Sequence, residues 1–329
     1  MKFPKYLRIW IFYALIFITA LILLFDEPHY FWIELQFALL IWIATSLTRS
    51  ASTQLGIAVW SGGVGFSILL LLLYGNLLKL AGVNPDSVWM ASLFFPVAEE
   101  IVKILPVVLF ALYFWRKRKL TFNTSTFLFL GIMTAIGFSM LEKSYWENIS
   151  FPFTYGPHLG GFYFFSDALG IYVKSKPLGF IGHGAATGLI AMGIGLGLYF
   201  RKFKAYRTFW WIFPLFPALW VLLEHCLLNL YYANGSTALL IVGGGQFTPW
   251  IFLAFLAATV GIDLSAAVRT WRNSPCLQER FRLLRSYPKH QIKKKRKVHW
   301  AWLGLAAEQF RFLNLVAWNT LGQIKKKEE

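Results

Sequence analysis

Apolar residues run along this chain in stretches of about 20, long enough to cross a hydrocarbon core roughly 30 Å thick. They do not alternate as half-buried strands would, nor leave the polar face of a water-exposed helix. Stretches at 8–25, 29–47, 55–82, 88–114, 124–143, 177–200, 208–231 and 238–262 each predict a transmembrane helix. The first has no small-residue cleavage site before Asp26-Glu27-Pro28 and is expected to be retained as a span. The last contains Gly243-Gly244-Gly245 and Pro249, which could break it into a re-entrant piece and a short helix. The pattern therefore predicts an all-α polytopic membrane protein of about eight helices, with seven as the alternative. N-terminal helices occupy 1–87, a polar-bearing core 88–262 with a loop at 144–176, and a basic amphipathic tail 263–329.

Composition agrees. Apolar residues make up 57% of the 329 and charged residues 14%, too few to cover a soluble domain, since about 25% is usual. The same figures exclude disorder, and two cysteines exclude a disulfide scaffold. A net charge of +17 could suggest nucleic acid, but its placement does not. Lys and Arg gather at the ends of apolar runs (Lys2, Lys5, Arg8, Arg49, Arg116 to Lys119, Arg201, Lys202, Lys204, Arg207) and in the tail from Arg269 onward. On alternate connections only Lys143, Lys174 and Lys176 appear. This bias puts both termini in the cytoplasm and favours an even number of spans. No nucleic-acid partner is expected; anionic lipid is, at the tail. There Trp300, Leu303, Phe310, Leu313 and Trp318 fall near helical spacing between Lys293–Lys297 and Lys325–Lys327, which predicts amphipathic helices on the cytoplasmic leaflet. The 144–176 loop is rich in Phe and Tyr (Phe151, Phe153, Tyr155, Phe162, Tyr163, Phe164, Phe165) and is read as an outer aromatic belt or as a cap over a site beneath it.

Ionisable groups inside an apolar span cost about 2.5–3.5 kcal/mol each on insertion scales and so mark function. The fourth span reads Phe95-Pro96-Val97-Ala98-Glu99-Glu100-Ile101-Val102-Lys103-Ile104-Leu105-Pro106. Lys103 lies three and four residues from the two acids, so one ammonium can reach both. Two acids beside one base suit general acid and base work, and a buried ion pair locking the bundle is the structural alternative. Glu142 ends the fifth span beside Lys143; His183 opens a Gly-rich sixth span (Gly184, Gly188, Ala191, Gly195) whose small residues let helices approach closely. In the seventh, His225 and Asn229 share a face at i and i+4, and both can donate to an oxyanion. Glu224 points about 100° away, toward another contact. At 1.5 Å per residue, Glu99, His183 and His225 all fall within roughly 9–16 Å of the same outer surface. Separate structural clamps need not coincide in depth; one shared site would.

These residues resemble the PrsW family of glutamic-type intramembrane proteases, which is related to the CAAX prenyl endopeptidases. The resemblance rests on Glu99-Glu100-x-x-Lys103, Phe138-x-x-x-Glu142, His183 before a Gly-rich helix, and His225-x-x-x-Asn229, in the family order over residues 99–229. Family members often carry Asn where this chain has Lys143. The resemblance implies water activation by Glu99, with Glu100 as the alternative base. It also implies positioning by Glu142 and His183, a carbonyl polarised by His225 and Asn229, and support from Lys103 and Phe138. It further implies a membrane-anchored protein substrate, such as an anti-sigma factor in regulatory signalling, and a bacterial plasma membrane. No cofactor is expected on this reading; a zinc reading would use Glu100, Glu142, His183 and His225, although no His-Glu-x-x-His helix is present. A proton-coupled permease, for which no inverted repeat is visible, and a non-catalytic membrane binding protein are the competing functions.

Overall fold

A computed structural model describes residues 28–145 apart from 74, 75, 77, 85, 86 and 119, short strands between 158 and 180, residues 181–275 and 308–319, and scattered positions elsewhere. The expected span 8–25 and the stretches 280–307 and 320–329 fall mostly or wholly outside the described residues. Among the described residues, seven long helices form the bundle: α1 (Pro28–Thr45), α2 (Thr53–Leu72), α3 (Phe95–Arg118), α4 (Thr124–Tyr145), α5 (His183–Phe200), α6 (Ile212–Asn234) and α7 (Thr248–Arg272). Between α4 and α5 lie two antiparallel hairpins, β1 (His158–Leu159) with β2 (Phe162–Tyr163), and β3 (Leu169–Val173) with β4 (Lys176–Phe180). Residues 308–319 form a further helix, α8.

Among the described residues, five helices are long and apolar enough to cross a membrane: those spanning Thr53–Leu70, Thr124–Glu142, His183–Phe200, Ile212–Asn234 and Thr248–Arg272. The chain is an integral membrane protein. α3 has comparable length but carries Glu99, Glu100 and Lys103 in its first half, the buried charges on which the site depends.

The core is α4, buried along nearly its whole length, with α5 beside it. Its close neighbours are admitted by glycine. A Cβ on Gly63 of α2 would lie 2.0 Å from the Thr134 carbonyl oxygen, and one on Gly188 of α5 would lie 2.6 Å from Ile132. On α4 itself, a Cβ on Gly131 would lie 2.5 Å from Ala191. The small-residue stripe of the sixth span is therefore the α4–α5 seam, where backbones rather than side chains set the distance.

One expected boundary is corrected. The final span is α7, Thr248–Arg272, rather than 238–262. Gly243, Gly244 and Gly245 all take positive φ (89°, 63° and 81°) after a short 3₁₀ turn at Ala238–Val242, and Pro249 then starts the helix afresh. The fourth span enters through a π-helical turn, Met90–Phe94. Pro96 lacks the N–H that would bond the carbonyl four residues back, and the turn before it widens so that Phe95 N–H bonds Met90 O. In the tail helix α8, Leu313 and Trp318 are buried. Asn314 Nδ2 donates to Leu47 O at 2.8 Å, Asn319 Oδ1 accepts from Thr121 N at 3.1 Å, and Lys202 Nζ donates to Trp318 O at 2.8 Å.

Candidate active site

The four polar spans converge. Glu99 and Glu100 sit one turn into α3, Lys103 on the next turn, Glu142 at the end of α4, His183 at the start of α5 and His225 mid-way along α6. Lys103 is wholly buried, and Glu99, Glu100, His183 and His225 are each at most 8% exposed. The Lys103 ammonium is the hub. It donates to Glu100 Oε1 at 2.9 Å and Glu99 Oε2 at 3.3 Å, and lies 2.6 Å from His183 Nδ1. The Phe138 ring faces it at 4.5 Å, a cation–π contact that offsets part of the lost hydration.

Both imidazoles are held from two sides. An ammonium has no lone pair, so His183 Nδ1 accepts from Lys103 and the proton belongs on Nε2, which donates to Glu142 Oε2 at 2.9 Å. His225 Nδ1 pairs with Glu100 Oε1 at 3.1 Å, leaving Nε2 3.7 Å from Glu99 Oε2. The two rings are 5.4 Å apart. His183 is the first residue of α5, after Gly182 at φ 90°, so the positive end of that helix dipole faces the carboxylates.

The two acids are not equivalent. Glu100 is fully engaged, with Lys103 and His225 on Oε1 and Thr187 Oγ1 donating to Oε2 at 3.4 Å. Glu99 makes one described hydrogen bond, to Lys103. Glu142 is the most exposed member, its side chain 19% accessible.

Asn229 is engaged with the backbone of the turn that precedes α3. Because Phe95 N–H bonds Met90 O, the Ala91 carbonyl loses its helical partner, and Asn229 Nδ2 donates to it at 3.1 Å. Its amide thus straps α6 to the turn leading into Glu99. Glu224 belongs to a separate contact, accepting from Thr248 Oγ1, which in turn accepts from Trp220 Nε1 at 2.7 Å.

Two features escape the sequence pattern. Phe180, at the end of β4, stacks on His225 with centroids 4.9 Å apart and meets His183 edge-on at 5.5 Å, capping both imidazoles. The described end of the 144–180 segment therefore covers the site, while Phe151, Phe153, Tyr155, Phe164 and Phe165 lie outside the described residues. Glu34 of α1, completely buried, accepts from Ser139 Oγ at 2.9 Å, one turn from Glu142. An ionisable residue inside the 29–47 run was the signal that could have found it.

The model for the PrsW family intramembrane metalloprotease matches residues 50–262, more than half of the chain and every residue of the cluster. The chain belongs to the PrsW family. Neither a curated protein nor a solved structure matches it. As a PrsW-family protein it is an intramembrane protease, and the gathered carboxylates and imidazoles supply hydrolytic chemistry of the kind that activity needs.

The family description names a metal, and the donor set can be tested against one. One ligand atom each from Glu99, His183 and His225 lie within 4.8 Å of one another, and two imidazoles with a carboxylate are a catalytic zinc set. Glu142 and Glu100 each bond the far side of one imidazole, as orienting carboxylates do around zinc. The trio differs from the expected Glu100, Glu142, His183 and His225: Glu99 joins it, and the other two acids stand behind the histidines. The donors fit; the position among them is shared with the Lys103 ammonium, 2.6 Å from His183 Nδ1.

Proposed function

We propose that this PrsW-family protein cleaves a membrane-anchored protein near the surface that bears Glu142, with Glu99 as the general base. The observation that carries the reading is the convergence of Glu99, His183 and His225 within 4.8 Å around a resident ammonium. Glu99 takes a proton from water as its oxygen attacks the scissile carbonyl carbon. The C–N bond then breaks and the proton passes to the departing amine. Glu99 is favoured over Glu100 because Glu100 is already saturated by three donors. Once Glu99 has taken the proton, the Lys103 N–H that pointed to it is released for the oxyanion, His225 Nε2 faces Glu99 beside it, and the His183–Glu142 pair orients the water. Asn229 supports this from the backbone side. The charge bias along the chain supports cytoplasmic termini and an eight-span count, and the family resemblance supports a bacterial plasma membrane. The family resemblance supports a regulatory substrate such as an anti-sigma factor.

The metal reading is the second one, favoured by the carboxylate-backed histidines. Glu99, His183 and His225 would hold the ion, which would polarise the carbonyl and acidify water. For it to bind, Lys103 must leave.

Both are tested by mapping new protein N-termini in membranes of cells expressing wild-type protein, Glu99→Gln or Glu142→Gln. Products that require the wild-type residues are expected, cut near one membrane surface and unaffected by chelators. Identical maps from all three folded proteins would return the non-catalytic reading. Loss of cleavage on chelation, restored by zinc, would transfer the chemistry to the metal.

A further inference from the structure

Arg49, in the connection between α1 and α2, is only 3% exposed. Its Nη2 donates to Thr53 Oγ1 at 3.3 Å, and its guanidinium lies over Phe129 at 4.2 Å and Trp42 at 5.4 Å. Its Nε and Nη1 are buried without an acceptor among the described residues. A buried guanidinium with two idle donors is costly, and aromatic faces recover only about 0.5–2 kcal/mol of that. The charge acting on it is another cation: burial and Arg311 of α8 together hold the Arg49 pKa down to about 10. Arg311 bonds Glu308 along its own helix through Nε at 3.1 Å, and that acid is 62% exposed.

The surroundings say what kind of anion completes this pair. Trp42 and Ile43 near the end of α1, and Leu47 just beyond it, are exposed apolar residues (40%, 56% and 53%), a surface suited to lipid. Arg49 follows them in the connection that ends this apolar surface. The next connection of like position and the tail carry the chain's basic runs, Arg116 to Lys119 and Lys293 to Lys297, so the same end of the bundle attracts anionic lipid. A guanidinium fork matches phosphate oxygens in pairs, and one phosphate between two arginines removes their repulsion.

We propose that the phosphate of an anionic lipid headgroup binds between Arg49 and Arg311 and supplies the counter-charge that seats α8 on the α1–α2 connection. Both residues lie outside the matched segment 50–262, so this is a property of this chain independent of the protease reading.

The test uses the full chain purified in neutral detergent, with thermal unfolding followed as phosphatidylglycerol, phosphatidylcholine or inorganic phosphate is added. Phosphatidylglycerol should raise the midpoint of the wild-type protein, and the other two should not. In Arg49→Gln and in Arg311→Gln the effect should require about tenfold more lipid, as expected for loss of one charge-assisted pair. Arg49→Lys, which keeps the charge but loses the fork, should recover only part. Should Arg49→Gln fail to fold, Arg311→Gln, on the rim of α8, carries the comparison. Equal stabilisation of wild type and Arg311→Gln would overturn the proposal. Stabilisation by inorganic phosphate as strong as by phosphatidylglycerol would overturn its lipid part.

Discussion

Lys103 keeps its charge inside the bundle because Glu99, Glu100, His183 Nδ1 and the Phe138 ring enclose the ammonium. Removing one member of such a set leaves buried charge uncompensated, which typically costs about 3–5 kcal/mol. Lys103→Met is therefore expected to lower denaturant or thermal stability by that order and to abolish cleavage. Zinc content of the same variant separates the two chemistries. The glutamate reading expects none, whereas the metal reading expects tighter zinc once the ammonium no longer occupies its donors. Asn229→Ala should cost about 1 kcal/mol, the lower end of the penalty for orphaning the part-buried Ala91 carbonyl, and should lower kcat more than it raises KM, because it loosens the turn before Glu99 rather than a substrate contact. The ionisable members of the site were legible because each interrupts an apolar run, and Glu34 obeys the same rule. Phe180 was not legible. It is one of 32 phenylalanines, and only the chain's path past His225 gives it a role.

At the scale of elements, the apolar runs told where helices lie but not how their ends are made. The π-helical turn arises from Pro96 acting on the residues before it, a local effect that hydropathy averages away. The start of α7 depends on three glycines with φ between 63° and 89°; they were visible as a break, and the helix proved to begin after it. Asp263 falls one residue beyond the apolar stretch 238–262, outside the run whose interruptions signal function. It is buried in α7 and accepts from Ser125 N at 2.6 Å and Asn123 Nδ2 at 3.0 Å, so it sits on the first turn of α4, where a helix dipole welcomes an acid. Packing between elements gives a sharper test. Gly63→Ala would drive a methyl to 2.0 Å from the Thr134 carbonyl oxygen, whereas a methyl at Gly65 meets nothing within 4 Å. The first should destabilise by about 1–3 kcal/mol through overpacking, and the second should be neutral or slightly stabilising. Thermal midpoints of the two variants, two residues apart on one helix, check this directly; equal losses would mean that α2 does not approach α4 through Gly63.

Across the whole molecule, the catalytic cluster and the tail helix occupy opposite ends of the same two central helices. Glu142 lies in the last turn of α4 while Thr124 opens it, and His183 opens α5 while Lys202 follows its close. At 1.5 Å per residue the two ends are roughly 27 Å apart. α8 spans that far end, bonding the α1–α2 connection at Leu47, the α3–α4 connection at Thr121 and the α5–α6 connection at Lys202. Trp318 is clamped between Tyr199, at 5.6 Å, and the Lys202 ammonium, at 3.8 Å. A helix that ties three connections braces the bundle without touching its chemistry. Deleting 308–329 should therefore lower the thermal midpoint and speed amide exchange at 46–52 and 120–123. Exchange around Glu142 and His183 should stay unchanged, and cleavage at a temperature well below the new midpoint should persist. Loss of cleavage in a truncated protein whose exchange near His183 is still wild-type would show that the two ends communicate, and that the tail is part of the enzyme's control rather than its frame.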